Sequence, residues 1–192
     1  MHSVVKIKPA MPTRRDLSSA TIHLLGTLVF LVATALACPA QAATPTPVKI
    51  AVFEFELDDV SAAGAASKVE SADDVNRMKA VTDEARRVLT ASGRYTLVDT
   101  AGVSAQAAKD GTLRNCNGCD AGIALQLGAE RSLIGVVTRV AQTEYYVSMQ
   151  MTNTKTGKIV NQQTAFFTGA TDAWASGVRL LIKHGILADP NS

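Results

Sequence analysis

Residues 48–58, VKIAVFEFELD, alternate between apolar and charged side chains and decide the class of fold that the sequence predicts. In an extended strand, alternate residues point to opposite faces of a sheet. One set then contains Ala51, Phe53, Phe55 and Leu57, and the other Val52, Glu54, Glu56 and Asp58. Because only the first set is wholly apolar, the pattern predicts a sheet that helices cover on one face, and not a doubly wound sheet.

The segments after this strand alternate between helical and extended patterns. Residues 58–71, rich in Ala, Ser and Gly, are predicted to form a mobile surface loop. Apolar residues at three- and four-residue spacing then predict a helix that begins near Ser71 or Asp73 and ends at Gly93. Its predicted buried stripe contains Val75, Met78, Val81, Ala85, Val88 and Leu89. A strand at residues 95–98 should lie parallel to the first strand, through a right-handed crossover.

The second half of the chain continues the same kind of pattern. Helices are predicted at residues 103–109 and 119–127, strands at 132–146, 145–152 and 159–167, and a hairpin turn at 153–158. A final helix is predicted to bury Trp174, Val178, Leu181, Ile182 and Ile186. The order β-α-β-α-α-β-β-β-α predicts an α/β (α+β) fold. We expect a two-layer sandwich with a mixed sheet of about five strands and helices on one face.

The first 42 residues have the pattern of a secretory signal peptide. Lys6, Lys8, Arg14 and Arg15 are basic, and residues 22–37 form an apolar run that is shorter than the about 18 residues of a membrane span. Small residues at Ala40 and Ala42 predict cleavage before Ala43. The mature protein is therefore predicted to be periplasmic, with an extended leader at 43–47, one domain at 48–188 and a tail at 189–192.

Two alternatives for export remain open. Arg14 and Arg15 resemble a twin-arginine signal, which exports proteins that have already folded. Residues 35–38, ALAC, resemble a lipoprotein box, in which Cys38 would be lipidated and would anchor the protein to a membrane. A soluble periplasmic protein is the favoured interpretation.

Removal of the signal changes the charge balance. The whole chain has 19 Lys and Arg against 17 Asp and Glu, and residues 1–42 contain four of the basic residues and one of the acidic residues. The remainder has 19 − 4 = 15 basic and 17 − 1 = 16 acidic residues. A nearly neutral domain gives no reason to expect nucleic acid or an anionic membrane as a partner.

Cys116 and Cys119 are the only cysteines that follow the predicted cleavage site. The favoured interpretation is a structural disulfide that fixes the start of the helix at 119–127, because the predicted compartment is oxidising. A redox pair with Cys116 as the attacking thiolate is the first alternative. A metal site is the second, although structural zinc requires four ligands and the mature chain adds only His184, or Asp120, to the two cysteines.

The acidic residues Glu54, Glu56 and Asp58, followed by Asp59, form a second candidate site. They are a possible face for a ligand or partner, although a solvated strand face is the favoured interpretation. The sequence contains no credible Ser-His-Asp set and no phosphate-binding glycine loop. We therefore predict no catalytic residues, no metal and no cofactor.

Four further phrases carry a resemblance to a known family. They are residues 49–55 (KIAVFEF), 89–99 (LTASGRYTLVD), 127–130 (LGAE) before a strand that contains 135–137 (GVV), and 154–158 (TKTGK). Together they resemble the domain of unknown function 2380 family across residues 48–187. The chain is more distantly similar to the N-terminal α/β domain of TolB and to the periplasmic domain of CsgG-type proteins.

This resemblance implies a small α/β domain with no known chemistry. In the distant relatives such domains serve as docking or assembly modules of the cell envelope, so the resemblance implies a non-enzymatic binding or scaffolding module. Its expected partner is an envelope protein or a small ligand, and a membrane only if Cys38 is lipidated. A thiol–disulfide protein that uses Cys116 and Cys119, and an outer-membrane lipoprotein assembly component, are the alternatives.

Overall fold

The computed structural model describes residues 46–67, 71–103, 112–170, 173–190 and 192. The predicted signal peptide, most of the leader and nearly all of the predicted helix at 103–109 lie outside these residues. None of the helices in the described ranges has the length and hydropathy of a membrane-spanning segment.

The described chain builds one six-stranded mixed sheet. The strands are β1 (Val48–Val52), β2 (Glu56–Asp59), β3 (Tyr95–Val98), β4 (Arg131–Ala141), β5 (Glu144–Asn153) and β6 (Ile159–Thr168). Their order is β3-β1-β4-β5-β6, and β2 pairs with β4 beyond the end of β1. The pairs of β1 with β3 and of β1 and β2 with β4 are parallel, whereas β4, β5 and β6 form antiparallel hairpins.

The helices are α1 (Ala62–Ser67), α2 (Ala72–Ala91), α3 (Cys119–Gln126) and α4 (Trp174–Leu181). A 3-10 turn at Leu113–Asn115 precedes α3, and α4 continues as a π-helix at Ile182–Ile186. Ser71 caps α2 through its side chain, which accepts a hydrogen bond from the Asp74 amide, and Gly93 follows the helix with φ 70°. The predicted mixed α/β fold is confirmed.

The main core lies between one face of the sheet and the helices α2 and α4. Alternate residues of β5 point into it, as predicted, and so does the apolar stripe of the last helix: Tyr145, Val147, Met149, Met151, Trp174, Val178, Leu181, Ile182 and Ile186. The predicted buried stripe of α2 is wrong at one position, because Val75 is 53% exposed. Thr82 is buried instead, and its hydroxyl accepts a hydrogen bond from the Phe55 amide and donates to the Met78 carbonyl.

A one-residue irregularity divides the predicted first strand into β1 and β2. From Val52 to Glu56 the chain advances four positions, whereas their partners Leu133 and Val136 on β4 are three positions apart. One extra residue inverts the alternation of side chains. The prediction that Ala51, Phe53, Phe55 and Leu57 share one face is therefore wrong.

The inversion places these four residues in two separate clusters. Phe55 and Leu57 belong to the main core. Ala51 and Phe53 pack instead with Leu113, Ala124 and Ala129, which come from the turn before α3, from α3 itself and from the segment after it. The first strand thus holds α3 in place through a small second cluster.

Two predicted boundaries also change. Residues 58–71, predicted as a loop, include the end of β2 and the helix α1, none of whose residues is buried. The overlapping strands predicted at 132–146 and 145–152 are separated by a turn at Gln142 and Thr143. The predicted hairpin at 153–158 is confirmed, with Gly157 at φ 65°.

Candidate functional site

Cys116 and Cys119 lie in the loop that leads from the 3-10 turn into α3. Their sulfur atoms are at disulfide-bonding distance, and their Cα atoms are 5.5 Å apart. Asn117 and Gly118 between them have φ 52° and 97°, a left-handed conformation that glycine adopts without strain. Cys116 is half-buried against the second cluster, and Cys119 is exposed as the first residue of α3.

The cysteine loop is bound to the predicted acidic cluster. Glu56 accepts a hydrogen bond of 2.6 Å from the Leu113 amide. The Arg114 guanidinium lies 3.7 Å from the Glu56 carboxylate and 3.3 Å from that of Asp58, and it donates to the Leu57 carbonyl. Glu56 and Asp58 of the predicted acidic site therefore form one cluster with the cysteine loop, and this cluster joins β2 to the start of α3.

Glu54 does not join this cluster. It pairs with Arg86 of α2 at 3.0 Å, and Arg86 also donates to the Val52 carbonyl and to the Thr100 hydroxyl. The three predicted acidic residues are thus divided between two arginines: Glu54 pairs with Arg86, and Glu56 and Asp58 pair with Arg114.

The other possible metal ligands, Asp120 and His184, do not form a group of ligands with the cysteines. Asp120 is buried in the first turn of α3, where its carboxylate accepts a hydrogen bond of 2.5 Å from the Ser132 hydroxyl. His184 is exposed on the last helix. Within the described ranges, no group of three His, Cys, Asp or Glu side chains could hold a metal ion.

A buried ionic network that the sequence did not suggest links β2, β4 and α2. Arg139 donates to Asp59 at 3.0 Å and to Asp74 at 2.9 Å, using both edges of its guanidinium. The side chains of Arg139 and Asp74 are only 17% and 8% exposed. The guanidinium also lies 5.6 Å from the centre of the Trp174 ring. Because its guanidinium donors bind Asp59 and Asp74, Arg139 links β2, β4 and α2 and is poorly suited to bind a ligand.

The network shifts the pKa values of its members. Burial alone would raise the pKa of Asp59, but hydrogen bonds from Arg139 and Ser61 outweigh it and hold that pKa below 3.8. Hydrogen bonds from Arg139 lower the pKa of Asp74 in the same way. The two carboxylates in turn raise the pKa of Arg139. All three groups are therefore charged at neutral pH.

The sheet has a second surface, opposite the main core, which we call the outer face. Three cross-strand rows of β4, β5 and β6 define it: Thr138–Tyr146–Phe166, Val136–Ser148–Thr164 and Ile134–Gln150–Gln162. The structure describes every one of these residues, and none is charged. Tyr146 and Phe166 are 42% and 48% exposed, and their ring centres are 5.1 Å apart.

The ionic cluster of β2 borders this outer face. Glu56 and Asp58 pair in register with Val136 and Thr138 of β4, so their side chains lie on the same side of the sheet as the outer face. An uncharged, aromatic centre therefore lies beside a charged margin made by Glu56, Asp58 and Arg114. The alternation of side chains along β5 could have revealed which residues this strand contributes to the surface. The residues of β4 and β6 that lie beside them depend on strand registers that the sequence does not show.

These features define a compact α/β domain whose distinctive surface is an uncharged sheet face. The sequence matches the model of a family described as "Protein of unknown function (DUF2380)" over residues 48–186. The chain belongs to this family, and the predicted membership is confirmed. No curated protein matches the sequence significantly.

Several solved structures have a similar fold. The C-terminal domain of LpoB from Salmonella enterica is 17% identical, with 67% of this chain and 87% of that chain covered and a TM-score of 0.47. Lipoprotein GNA1162 from Neisseria meningitidis is 14% identical, with 76% and 100% covered and a TM-score of 0.48. TolB from Acinetobacter baumannii is 13% identical, with 71% and 27% covered and a TM-score of 0.39.

Proposed function

We propose that this protein is an exported, non-enzymatic binding module that contacts another protein of the cell envelope through the outer face. The observation that carries the proposal is that the three cross-strand rows that define the outer face are uncharged and partly exposed, with Tyr146 and Phe166 at one end. A sheet face that only meets water is usually polar, with charged side chains among its residues. Here the outward positions are aromatic, aliphatic, hydroxyl and amide side chains.

This composition suits a protein interface. The buried centres of interfaces are depleted of charged residues and enriched in aromatic residues, and a polar margin surrounds them. Removing hydroxyl and amide groups from water costs much less than removing charges. Tyr146 and Phe166 would supply the large contact area, and Glu56, Asp58 and Arg114 would lie at the margin, where charges affect the rate and selectivity of association.

The proposed location rests on the sequence of the first 42 residues and agrees with the chemistry of the cysteine pair. Disulfides persist in the oxidising periplasm and are rare in the cytosol. The mass of the mature N-terminus would test this part of the proposal. Cleavage before Ala43 is expected, and an acylated Cys38 would show instead that the protein is a lipoprotein.

The contact surface can be tested in living cells by replacing Tyr146 with a photo-crosslinking amino acid in the full chain. Val75, which is 53% exposed on α2, provides a matched control at an apolar position on another surface. We expect an adduct with an envelope protein from position 146 and none from position 75. Equal labelling from both positions, or none from position 146, would contradict the proposal.

Two further variants test the chemistry of the surface once a partner has been captured. Tyr146→Ser and Phe166→Ser should each weaken binding by about tenfold or more, because exposed aromatic anchors contribute most of the free energy of many interfaces. Both side chains are already partly in water, so the thermal unfolding of the free protein should change little. Binding that survives both substitutions would exclude the outer face as the contact surface.

A further inference from the structure

We infer that Asn117 is a site of spontaneous deamidation, and that the Cys116–Cys119 disulfide slows this reaction by holding the loop in a turn. The modification needs neither an enzyme nor a partner. This inference goes beyond the proposed binding of an envelope protein and does not depend on it, since it concerns the cysteine loop and not the outer face.

The reaction is the attack of a backbone nitrogen on the preceding side chain. The Gly118 nitrogen bonds to Cγ of Asn117, and the side-chain amide nitrogen leaves as ammonia with the Gly118 amide proton, so that a succinimide ring closes. Water then opens the ring at either carbonyl group and gives aspartate or isoaspartate. The net change consumes water and releases ammonia, with no oxidant or reductant.

The sequence and the exposure of the loop favour this reaction. The dipeptide Asn-Gly occurs once in the chain, at Asn117 and Gly118. Glycine offers the least hindered backbone nitrogen, because it has no Cβ to obstruct the attack. Both residues are exposed, so water can reach the ring and open it.

The four residues from Cys116 to Cys119 form a tight turn. The Cα atoms of the two cysteines are 5.5 Å apart. Asn117 has φ 52°, and Gly118 has φ 97° and ψ 12°. These angles match a type I′ turn, in which the first central residue has ψ of about 30°. Asn-Gly is among the sequences that this turn prefers.

This turn points the attacking nitrogen away from its target. With ψ of about 30° at Asn117, the Gly118 nitrogen nearly eclipses the backbone nitrogen of Asn117 and faces away from its Cβ. Ring closure therefore requires a large rotation about the Cα–C bond of Asn117. That rotation would move Cys119, which the disulfide ties to Cys116 and which begins α3. The loop thus has a reactive sequence in a protected conformation.

The products would change the loop permanently. Isoaspartate adds one carbon atom to the backbone between the two cysteines, so the type I′ turn could not form as it does with asparagine. The disulfide therefore preserves the chemical integrity of the loop, and a molecule that lacks the disulfide is expected to accumulate damage at Asn117.

Incubation of the purified protein in mildly alkaline buffer, followed by peptide mapping with mass spectrometry, tests this inference. The double variant Cys116→Ser, Cys119→Ser should deamidate at Asn117 about tenfold faster than the disulfide-bonded protein. The reason is that restricting the backbone of one residue to a single conformation has a free-energy cost equivalent to about tenfold in rate. The fluorescence of Trp174 shows whether the variant remains folded. Equal rates in the two folded proteins would overturn the inference.

A second comparison does not depend on the folded state. In concentrated urea, the disulfide-bonded chain and the chain reduced with dithiothreitol differ in the Cys116–Cys119 bond. The reduced chain should deamidate faster at Asn117, because its backbone rotates freely. An unmodified Asn117 in the reduced, unfolded chain would exclude the site, and equal rates with and without the disulfide would exclude its protection.

Two controls show whether the Asn-Gly dipeptide is responsible. Asn153 precedes Thr154, and in the reduced, unfolded chain it should deamidate more slowly than Asn117. Gly118→Ala should slow the reaction at Asn117 in the same unfolded state, where the positive φ of Gly118 is no longer required. Equal deamidation of Asn117 and Asn153, or no effect of Gly118→Ala, would contradict the proposed attack by the Gly118 nitrogen.

Discussion

Gly64 of α1 lies directly over the carboxylate of Asp59. A Cβ atom at Gly64 would be 2.6 Å from both Oδ1 and the carbonyl oxygen of Asp59, and nearer still to its Cγ. Only glycine allows α1 to lie this close to Asp59. The same carboxylate accepts hydrogen bonds from Arg139 and from Ser61 at the start of α1. The short helix and the buried ionic network therefore depend on each other.

Gly64→Ala should lower the free energy of unfolding by about 1–3 kcal/mol, since the added methyl group must displace Asp59 or lift α1. Gly122→Ala in α3 is the matched control, because nothing lies within 4 Å of a Cβ at that position. An alanine within a helix is ordinarily more stable than a glycine, by roughly 0.5–1 kcal/mol. Chemical denaturation should thus give opposite signs for the two variants, and two equal effects would contradict the close contact.

Arg139→Ala should destabilise the protein by on the order of 3 kcal/mol or more. The substitution leaves Asp59 and Asp74 charged and mostly buried without their main partner, which is costly. Lys79→Ala removes a pair with Asp83 whose side chains are 69% and 52% exposed. Its expected effect is below about 1 kcal/mol. Similar unfolding midpoints for the two variants would show that the Arg139 network is not the structural link we describe.

Local patterns were sufficient to predict much of this fold. The alternation of β5, the apolar stripe of the last helix and the Gly157 hairpin each follow from residues that are close in the sequence. In each case a period of two or 3.6 residues, or a need for positive φ, identifies the element. The family resemblance rested on such segments, and the family match over residues 48–186 confirms it.

The features that join distant residues could not be predicted in this way. Arg139 lies 80 positions from Asp59 and 65 from Asp74, so no local spacing reveals their pairing. The extra residue between β1 and β2 is visible only through the register with β4. It also moves Glu56 and Asp58 toward Arg114 while Glu54 pairs with Arg86. The acidic residues that are close together in the sequence are therefore divided between two arginines in the structure.

Stability should fall as the solution becomes more acidic than about pH 4.5, and Glu84 should contribute to this loss. Hydrogen bonds from Arg87, and from Arg179 of α4, lower the pKa of Glu84 from 4.5 to about 2. A carboxylate whose pKa is lower in the folded state than in the unfolded state stabilises the folded state. This stabilisation is complete when the pH is above the pKa that the group has in the unfolded chain. This stabilisation disappears as the pH falls from 4.5 toward 2. Asp59 and Asp74 act in the same direction.

Urea denaturation at a series of pH values can isolate the part of the acid-induced loss of stability that is due to Glu84. Glu84→Gln should be less stable than the original protein at pH 6 and should lose less stability between pH 4.5 and 2. Asp83→Asn, at an exposed neighbouring position on α2, serves as the control. Parallel profiles for the original protein and Glu84→Gln would show that the pairs with Arg87 and Arg179 do not persist in solution.

The cysteine pair should act as a local clip and not as a reactive dithiol. A disulfide that closes a loop of only four residues restricts the unfolded chain little, so the double variant Cys116→Ser, Cys119→Ser should lose about 2 kcal/mol of stability. The Leu113 amide and Arg114 would still be held by Glu56 and Asp58. We expect the pair to remain oxidised in millimolar glutathione, as thiol alkylation and mass spectrometry can show. Rapid reduction under these conditions, with a Cys116 thiol pKa well below the ordinary value, would favour the thiol–disulfide function instead.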